Sequence, residues 1–280
     1  TCMESGKYED AVKAFQNALG ESIGHIGEKE LDICFYKAKA QALDGKTKDA
    51  LATYNAIIKY NKDARAYYLR GDLYMDMGEE KKGKADFESA VQHGKKNYEI
   101  YIGIYESLSR HEKKDEGQKY LSAAMEIKGD KPEDELYKGR ISYLLGENKD
   151  AISYLEKAKE HKQMLASYYL GLAYDANGDS DKAKKCIAEY IKSGVATSYD
   201  LYELGMQEMQ DGNYKNALTY FNSGLELEKV PNKQNLMKSA IAAYEYSGDF
   251  DSAKKMMKEY LKAYPDDEEA KHENTFLETR

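Results

Sequence analysis

The sequence predicts an all-α protein built from tandem helical hairpins, and three recurrences carry that prediction. A turn glycine returns at Gly6, Gly45, Gly78, Gly146, Gly178, Gly212 and Gly248, with Glu112 standing in its place between Gly78 and Gly146. Successive separations are 39, 33, 34, 34, 32, 34 and 36 residues. Five residues beyond each marker stands a small residue: Ala11, Ala50, Gly83, Gly117, Ala151, Ala183, Ala217 and Ala253. Four residues further on stands a large apolar one: Phe15, Tyr54, Phe87, Leu121, Leu155, Ile187, Phe221 and Met257. A fixed period of this length, with helical spacing inside it, marks a stacked array of supersecondary units.

The stretch Tyr168 to Ile191 states the pattern most clearly. Its first half places Tyr174 three residues after Gly171, on one helical face. A glycine inside a helix costs about 1 kcal/mol relative to alanine, so close approach of a second helix is expected there. Gly178 ends the first helix by taking the left-handed conformation of a C-terminal cap. Asp179 or Ser180 is expected to cap the next helix. Ala183, Ile187, Tyr190 and Ile191 then form the apolar stripe of a second helix. The small residue lets this helix B lie on its own helix A, and the large residue is expected to fill the seam between units. Ala38, Gly71, Gly139, Gly171 and Gly205 stand seven residues before their markers; Tyr105 and Ile241 break that rule, so wider packing is expected in units three and seven.

In chain order, residues 1–19 read as a truncated repeat, mainly a helix B at Gly6 to Leu19, which implies sequence upstream of it. Residues 20–30 read as a connection, 31–264 as seven tandem units, and 265–280 as a capping helix. The acidic opening of that last helix, PDDEEA, suits the positive end of a helix dipole.

The segments AYYLRGDLYMDMG, SYYLGLAYDANGDSDKA and GDFDSA, the last closed by Pro265, resemble the tetratricopeptide repeat, and the resemblance covers residues 31–265. It implies a right-handed α–α superhelix whose inner face binds extended peptides or partner helices. The bulky residue usual early in helix A is Tyr67 or Tyr101 here, or a less typical residue. The lysine and asparagine clamp that some members use for chaperone tails is not carried over, because no asparagine occupies the stripe described below.

Composition narrows the function classes. The net charge of −8 argues against a nucleic-acid surface. No apolar run is long enough to span a bilayer. Tyrosine is abundant, at 26 residues with no tryptophan; helix packing positions are expected to take most of them, and the polar tip equally suits some to a wet binding surface. Cys2, Cys34 and Cys186 lack paired spacing, which makes Cys34 and Cys186 buried thiols. Cys2 could carry a lipid, though it falls where the last turn of a lost helix belongs. Localisation stays open between cytoplasm and a bacterial envelope, with the envelope favoured; the composition and the tail KAYPDDEEAKHENTFLETR look bacterial.

No catalytic, cofactor-binding or metal-binding residue emerges. Gly78 to Lys84 has phosphate-loop spacing, but Ala85 stands where a hydroxyl is required and no strand precedes it. Asp175, Asn177 and Asp179 imitate a calcium loop, yet Ser180 and Cys186 occupy its sixth and twelfth places. His111-Glu112 opens a zinc-protease pattern that Asp115 breaks. His25, His93, His161 and His272 read as surface histidines.

Binding is the reading that remains. One residue past the packing stripe of each helix A lies a second stripe at i, i+4, i+7. It comprises Phe35/Lys39/Ala42, Tyr68/Asp72/Met75, Ile102/Glu106/Ser109, Leu136/Arg140/Tyr143, Tyr168/Leu172/Asp175 and Tyr202/Met206/Met209. The first half is charged and mixed, the second aromatic and methionine-rich, as suits adaptable hydrophobic recognition. Candidate groove residues are Phe35, Tyr68, Asp72, Leu136, Arg140, Tyr143, Tyr168, Leu172, Tyr202, Met206 and Met209. Arg140 is expected to be available for a partner carboxylate. Two readings stand: the stripe lines a groove, or its aromatics pack against neighbouring A helices. The expected protein is a monomeric, non-catalytic scaffold for a protein or peptide. Two alternatives are the sensing part of a regulator and the recruiting arm of an enzyme.

Overall fold

The computed structural model describes residues 3, 6–21, 26–129 and 131–280. Cys2, His25 and the middle of the predicted connection, residues 22–25, lie outside the described residues. Among those described there are sixteen α-helices and no strand. A single helix α1 (Tyr8–Gly20) is followed by seven hairpins. They are α2 (Glu28–Leu43) with α3 (Thr47–Asn61), α4 (Ala64–Asp76) with α5 (Glu80–His93), and α6 (Tyr98–Arg110) with α7 (Lys114–Met125). Then come α8 (Pro132–Leu145) with α9 (Asn148–Glu160), and α10 (Ala166–Ala176) with α11 (Ser180–Lys192). The last two are α12 (Ser198–Gln210) with α13 (Tyr214–Leu225), and α14 (Lys233–Tyr246) with α15 (Phe250–Ala263). A final helix, α16 (Glu268–Glu278), ends the chain. The connection predicted over 20–30 is shorter than expected, because α1 takes Gly20 and α2 begins at Glu28.

The chain forms two compact units, Thr1–Glu189 and Tyr190–Arg280. The division falls inside helix B of the fifth hairpin, where the sequence carries no linker signal. Each unit is a stack of helical hairpins. In the first, α4 packs on α6 and α8 on α10; in the second, α12 packs on α14. In these pairs helix A touches the next helix A as well as its own helix B.

Every hairpin turn closes the same way. Gly45, Gly78, Gly146, Gly178, Gly212 and Gly248 have φ between 73° and 83°, or 84° at Gly178, a region costly for residues with a Cβ. Glu112, the one departure, adopts it too, at φ 61°. The amide after each marker donates to the carbonyl five residues back, as Asp179 does to Tyr174 and Lys113 to Leu108, both at 2.8 Å. This is the Schellman arrangement, made entirely by the main chain. Asp179 then caps α11, its carboxylate accepting from the Lys182 backbone and pairing with the Lys182 ammonium at 2.8 Å.

The glycines of helix A have a packing reason. A Cβ at Gly71 would stand 2.9 Å from the Phe87 ring, and one at Gly139, Gly171 or Gly205 would strike Leu155, Ile187 or Phe221. The large residue of helix B thus sits on the bare backbone of its own helix A before it reaches the seam expected for it. Wider packing in unit three is corrected: Gly117 on α7 comes against the Tyr105 backbone, its would-be Cβ 3.1 Å from Cα. The close approach is kept by moving the glycine to the other helix. Inside the α4/α5 hairpin Asp86 is buried and held by both arms of the Arg70 guanidinium, at 2.6 and 2.7 Å.

Two buried tyrosines occupy packing positions with their hydroxyls tied off. Tyr174 donates to Glu156 and Tyr190 to Asp200, each at 2.6 Å. Cys34 is half-buried and Cys186 buried; both are free thiols, pushed up first by burial.

Candidate binding stripe on the A helices

The second stripe of the A helices is neither wholly open nor wholly packed. At its start, α2 contributes Phe35, Lys39 and Ala42, and α4 contributes Tyr68 and Asp72, to one cleft of about 510 Å³. Exposed Tyr36 and Leu43 rim it. Phe35 itself is only 6% exposed. The Arg65 guanidinium lies 3.7 Å above its ring and pairs with Asp32 at 2.9 Å. Tyr68 leans on α6: a Cβ at Gly103 would stand 2.6 Å from its ring. Burial is the first cause that pushes both phenols up, Tyr54 to about 12 and Tyr68 further, with Asp72 next.

Ion pairs then cross this face from one helix A to the next. Arg65 of α4 reaches Asp32 of α2, Arg110 of α6 reaches Asp72 of α4 at 2.5 Å, and Arg140 of α8 reaches Glu106 of α6 at 3.1 Å. Arg140 also meets Glu99 at 3.3 Å and stands 5.5 Å from the Tyr169 ring. The expectation that Arg140 is available for a partner carboxylate is therefore corrected, since two carboxylates of this chain already hold it. Leu136, also expected on the groove, is 8% exposed and belongs to the core beneath.

Beyond Arg140, up to Met209, Asp175 is the one charged residue of the stripe. Tyr143 is half-buried against the core of its hairpin, and Leu172 is half-buried. Tyr168 meets Tyr169 edge to face at 5.1 Å. In the second unit Tyr202, Met206 and Met209 are half-buried against the core around Phe221, and the Ser239 hydroxyl approaches the Met206 sulfur at 3.6 Å. These residues combine a packed base with a partly accessible edge.

A second cleft on the stripe was missed by the sequence reading. Lys238, Ala242 and Glu245 stand ten, six and three residues before Gly248, the same offsets as Phe35, Lys39 and Ala42 before Gly45. These repeated offsets are the sequence signal for it. Together with Ile241, Met257 and Tyr260 they enclose about 260 Å³, walled on the far side by Glu269, Ala270 and Glu273 of α16. Lys238 pairs with Asp267 at 2.8 Å, and Tyr260 donates to the same carboxylate at 2.5 Å. The two contacts, with the Ala270 amide, hold Asp267 well below the usual carboxylate range.

The motifs set aside above have structural employment. Lys84 pairs with Glu80 and Glu116, and Gly83 lies under Met75. Asp175 accepts from Ser180 and Asp179 caps α11. His111 meets Asp76 at 3.1 Å, His161 meets Glu135 at 3.0 Å, and His93 stacks on Tyr67. Among the described residues no group of three or more His, Cys, Asp or Glu side chains is arranged to hold a metal ion. No described helix is long and apolar enough to cross a membrane.

Stacked hairpins with a partly open A-helix face define a helical-repeat scaffold of the kind that mediates protein–protein contacts. The chain belongs to the tetratricopeptide repeat family, whose models match residues 3–59, 64–92, 165–193 and 234–267. The third, fourth and sixth hairpins lie outside those matches. No curated protein matches the chain by sequence. Among solved structures it is similar to a tetratricopeptide repeat protein from Parabacteroides merdae, at 12% identity and a TM-score of 0.52, over 86% of this chain and 94% of that one. PilW, a type IV pilus biogenesis factor, aligns at 18% identity and 0.48, over 75% and 97%. PilF of Pseudomonas aeruginosa aligns at 13% and 0.42, over 76% and 96%. At these identities the likeness is one of fold.

Proposed function

We propose that this chain is a non-catalytic, monomeric scaffold that holds an extended segment or helix of a protein partner along the A-helix stripe. One observation carries the reading: a stripe cleft is built at the same three offsets before its turn glycine in each of the two compact units. A repeated surface of this kind suits a partner that runs along successive helices and makes a small contact at each. Half-buried Tyr168, Tyr202, Met206 and Met209 supply large contact area on a supported base, which limits the ordering cost of binding.

The test is site-specific photo-crosslinking in cells of the source organism. A photoreactive residue replaces Lys39, Tyr143 or Met209 on the stripe, and Lys185 or Lys258 on exposed B-helix positions. Stripe positions should capture one and the same protein, and B-helix positions should not. Equal capture from both faces would overturn the assignment to the stripe.

A further inference from the structure

We propose that α16 is a proton-dependent strap: it stays docked over the last cleft while Glu245 keeps its proton against Glu273, and loosens when Glu245 ionises. This inference goes beyond partner binding and holds whether or not the stripe is occupied.

The argument begins with what α16 covers. Ala270 and Leu277 pack into a core made by Met237, Ile241, Ala253, Met257 and Tyr260. Polar contacts hold the start of the helix, through Asp267 with Lys238 and Tyr260. Farther along, the facing groups are both acids. Glu245 of α14 and Glu273 of α16 face each other across the cleft, and no hydrogen-bond donor reaches Glu245 Oε1, which is buried.

Two ionised carboxylates are acceptors only, so this contact becomes a hydrogen bond only when one of them carries the proton. The charged groups around Glu245 do not relieve it. Lys238, on its own helix, is engaged by Asp267; α15 contributes the Tyr260 phenol; α16 contributes Glu269 and Glu273. Among the described residues α12 and α13 contribute no lining group. Burial, and then Glu273, push the Glu245 carboxyl up to about 7.

The sign follows. A carboxyl raised in the folded chain stabilises the docked state fully below the ordinary carboxylate range, and that contribution is lost as pH rises through about 7. Asp267, shifted the other way, stays ionised across that window and keeps the start of the helix anchored. Loosening is thus confined to the later turns of α16, which uncovers Ile241 and Met257.

Hydrogen exchange of the 280-residue chain tests this, read on peptides covering 264–280 and corrected for the intrinsic pH dependence of exchange. Between pH 5.5 and 8.5, protection of the later turns should fall on the order of tenfold. Glu245→Gln, neutral throughout, should remove most of that fall, and Glu273→Gln, which takes away the second cause and leaves burial, should remove part of it. His272 lies on α16 and histidines change charge in this range, so His272→Gln is included and should leave the fall intact. Equal protection of the unsubstituted chain at both pH values would overturn the proposal. So would a full tenfold fall retained in both glutamine variants, or its disappearance in His272→Gln alone.

Discussion

The third and fifth hairpins solve one packing problem in opposite ways. In the fifth, Gly171 on helix A leaves bare backbone for Ile187 of helix B. In the third, helix A carries Tyr105 and the bare backbone is Gly117 on helix B. The fifth closes its turn with Gly178 and the third with Glu112, both in the left-handed region. Close approach of the two helices is thus the fixed requirement, and which helix provides the space is free to vary. The third hairpin also has the more enclosed helix A, with nine buried residues in α6, Tyr98 to Leu108.

The comparison can be broken first at its glycines. Gly171→Leu should cost about 3 kcal/mol by overpacking against Ile187, measured by urea unfolding. Part of that loss should return when Ile187→Ala is added, with a coupling of about 1 kcal/mol or more. Full additivity would mean that the two side chains do not meet. A smaller effect is expected at the tyrosines. Tyr174 gives its hydroxyl to Glu156 at 2.6 Å, so Tyr174→Phe should cost about 1 kcal/mol. Tyr105 reaches the Leu144 carbonyl only at 3.4 Å, so Tyr105→Phe should cost clearly less in the same assay. The smallest effect should come from the turns and has the opposite sign. Glu112→Gly relieves a left-handed residue and should stabilise by about 0.5–1 kcal/mol, read as a higher urea midpoint.

What the sequence made legible was whatever lies within one hairpin. The turn glycines, the small and large positions of helix B and even the exceptional place of Glu112 follow from local spacing. The stripe was legible as a set of positions, because helical offsets repeat. Its openness was not. Phe35 and Leu136 hold equivalent offsets to Tyr168 and Tyr202, yet both are buried. Phe35 is roofed by Arg65, thirty residues away, and nothing near it in sequence announces that. Arg140 looked free because its acids, Glu99 and Glu106, lie one hairpin upstream. The facing carboxyls Glu245 and Glu273 were hidden for the same reason, being 28 residues apart across α15 and two turns.

The crossing ion pairs give the A-helix face of the first unit a fixed order of neighbours. Asp32 to Arg65, Asp72 to Arg110 and Glu106 to Arg140 each join a helix to the one a full hairpin later. The partners stand at unlike places in their repeats: Asp32 and Arg65 both thirteen residues before their turn markers, Asp72 six and Arg110 two, Glu106 and Arg140 both six, so excising the second hairpin would set Asp32 opposite Glu99. Each hairpin of this unit is therefore matched to its own neighbour, and a change in the number of hairpins would break these pairs.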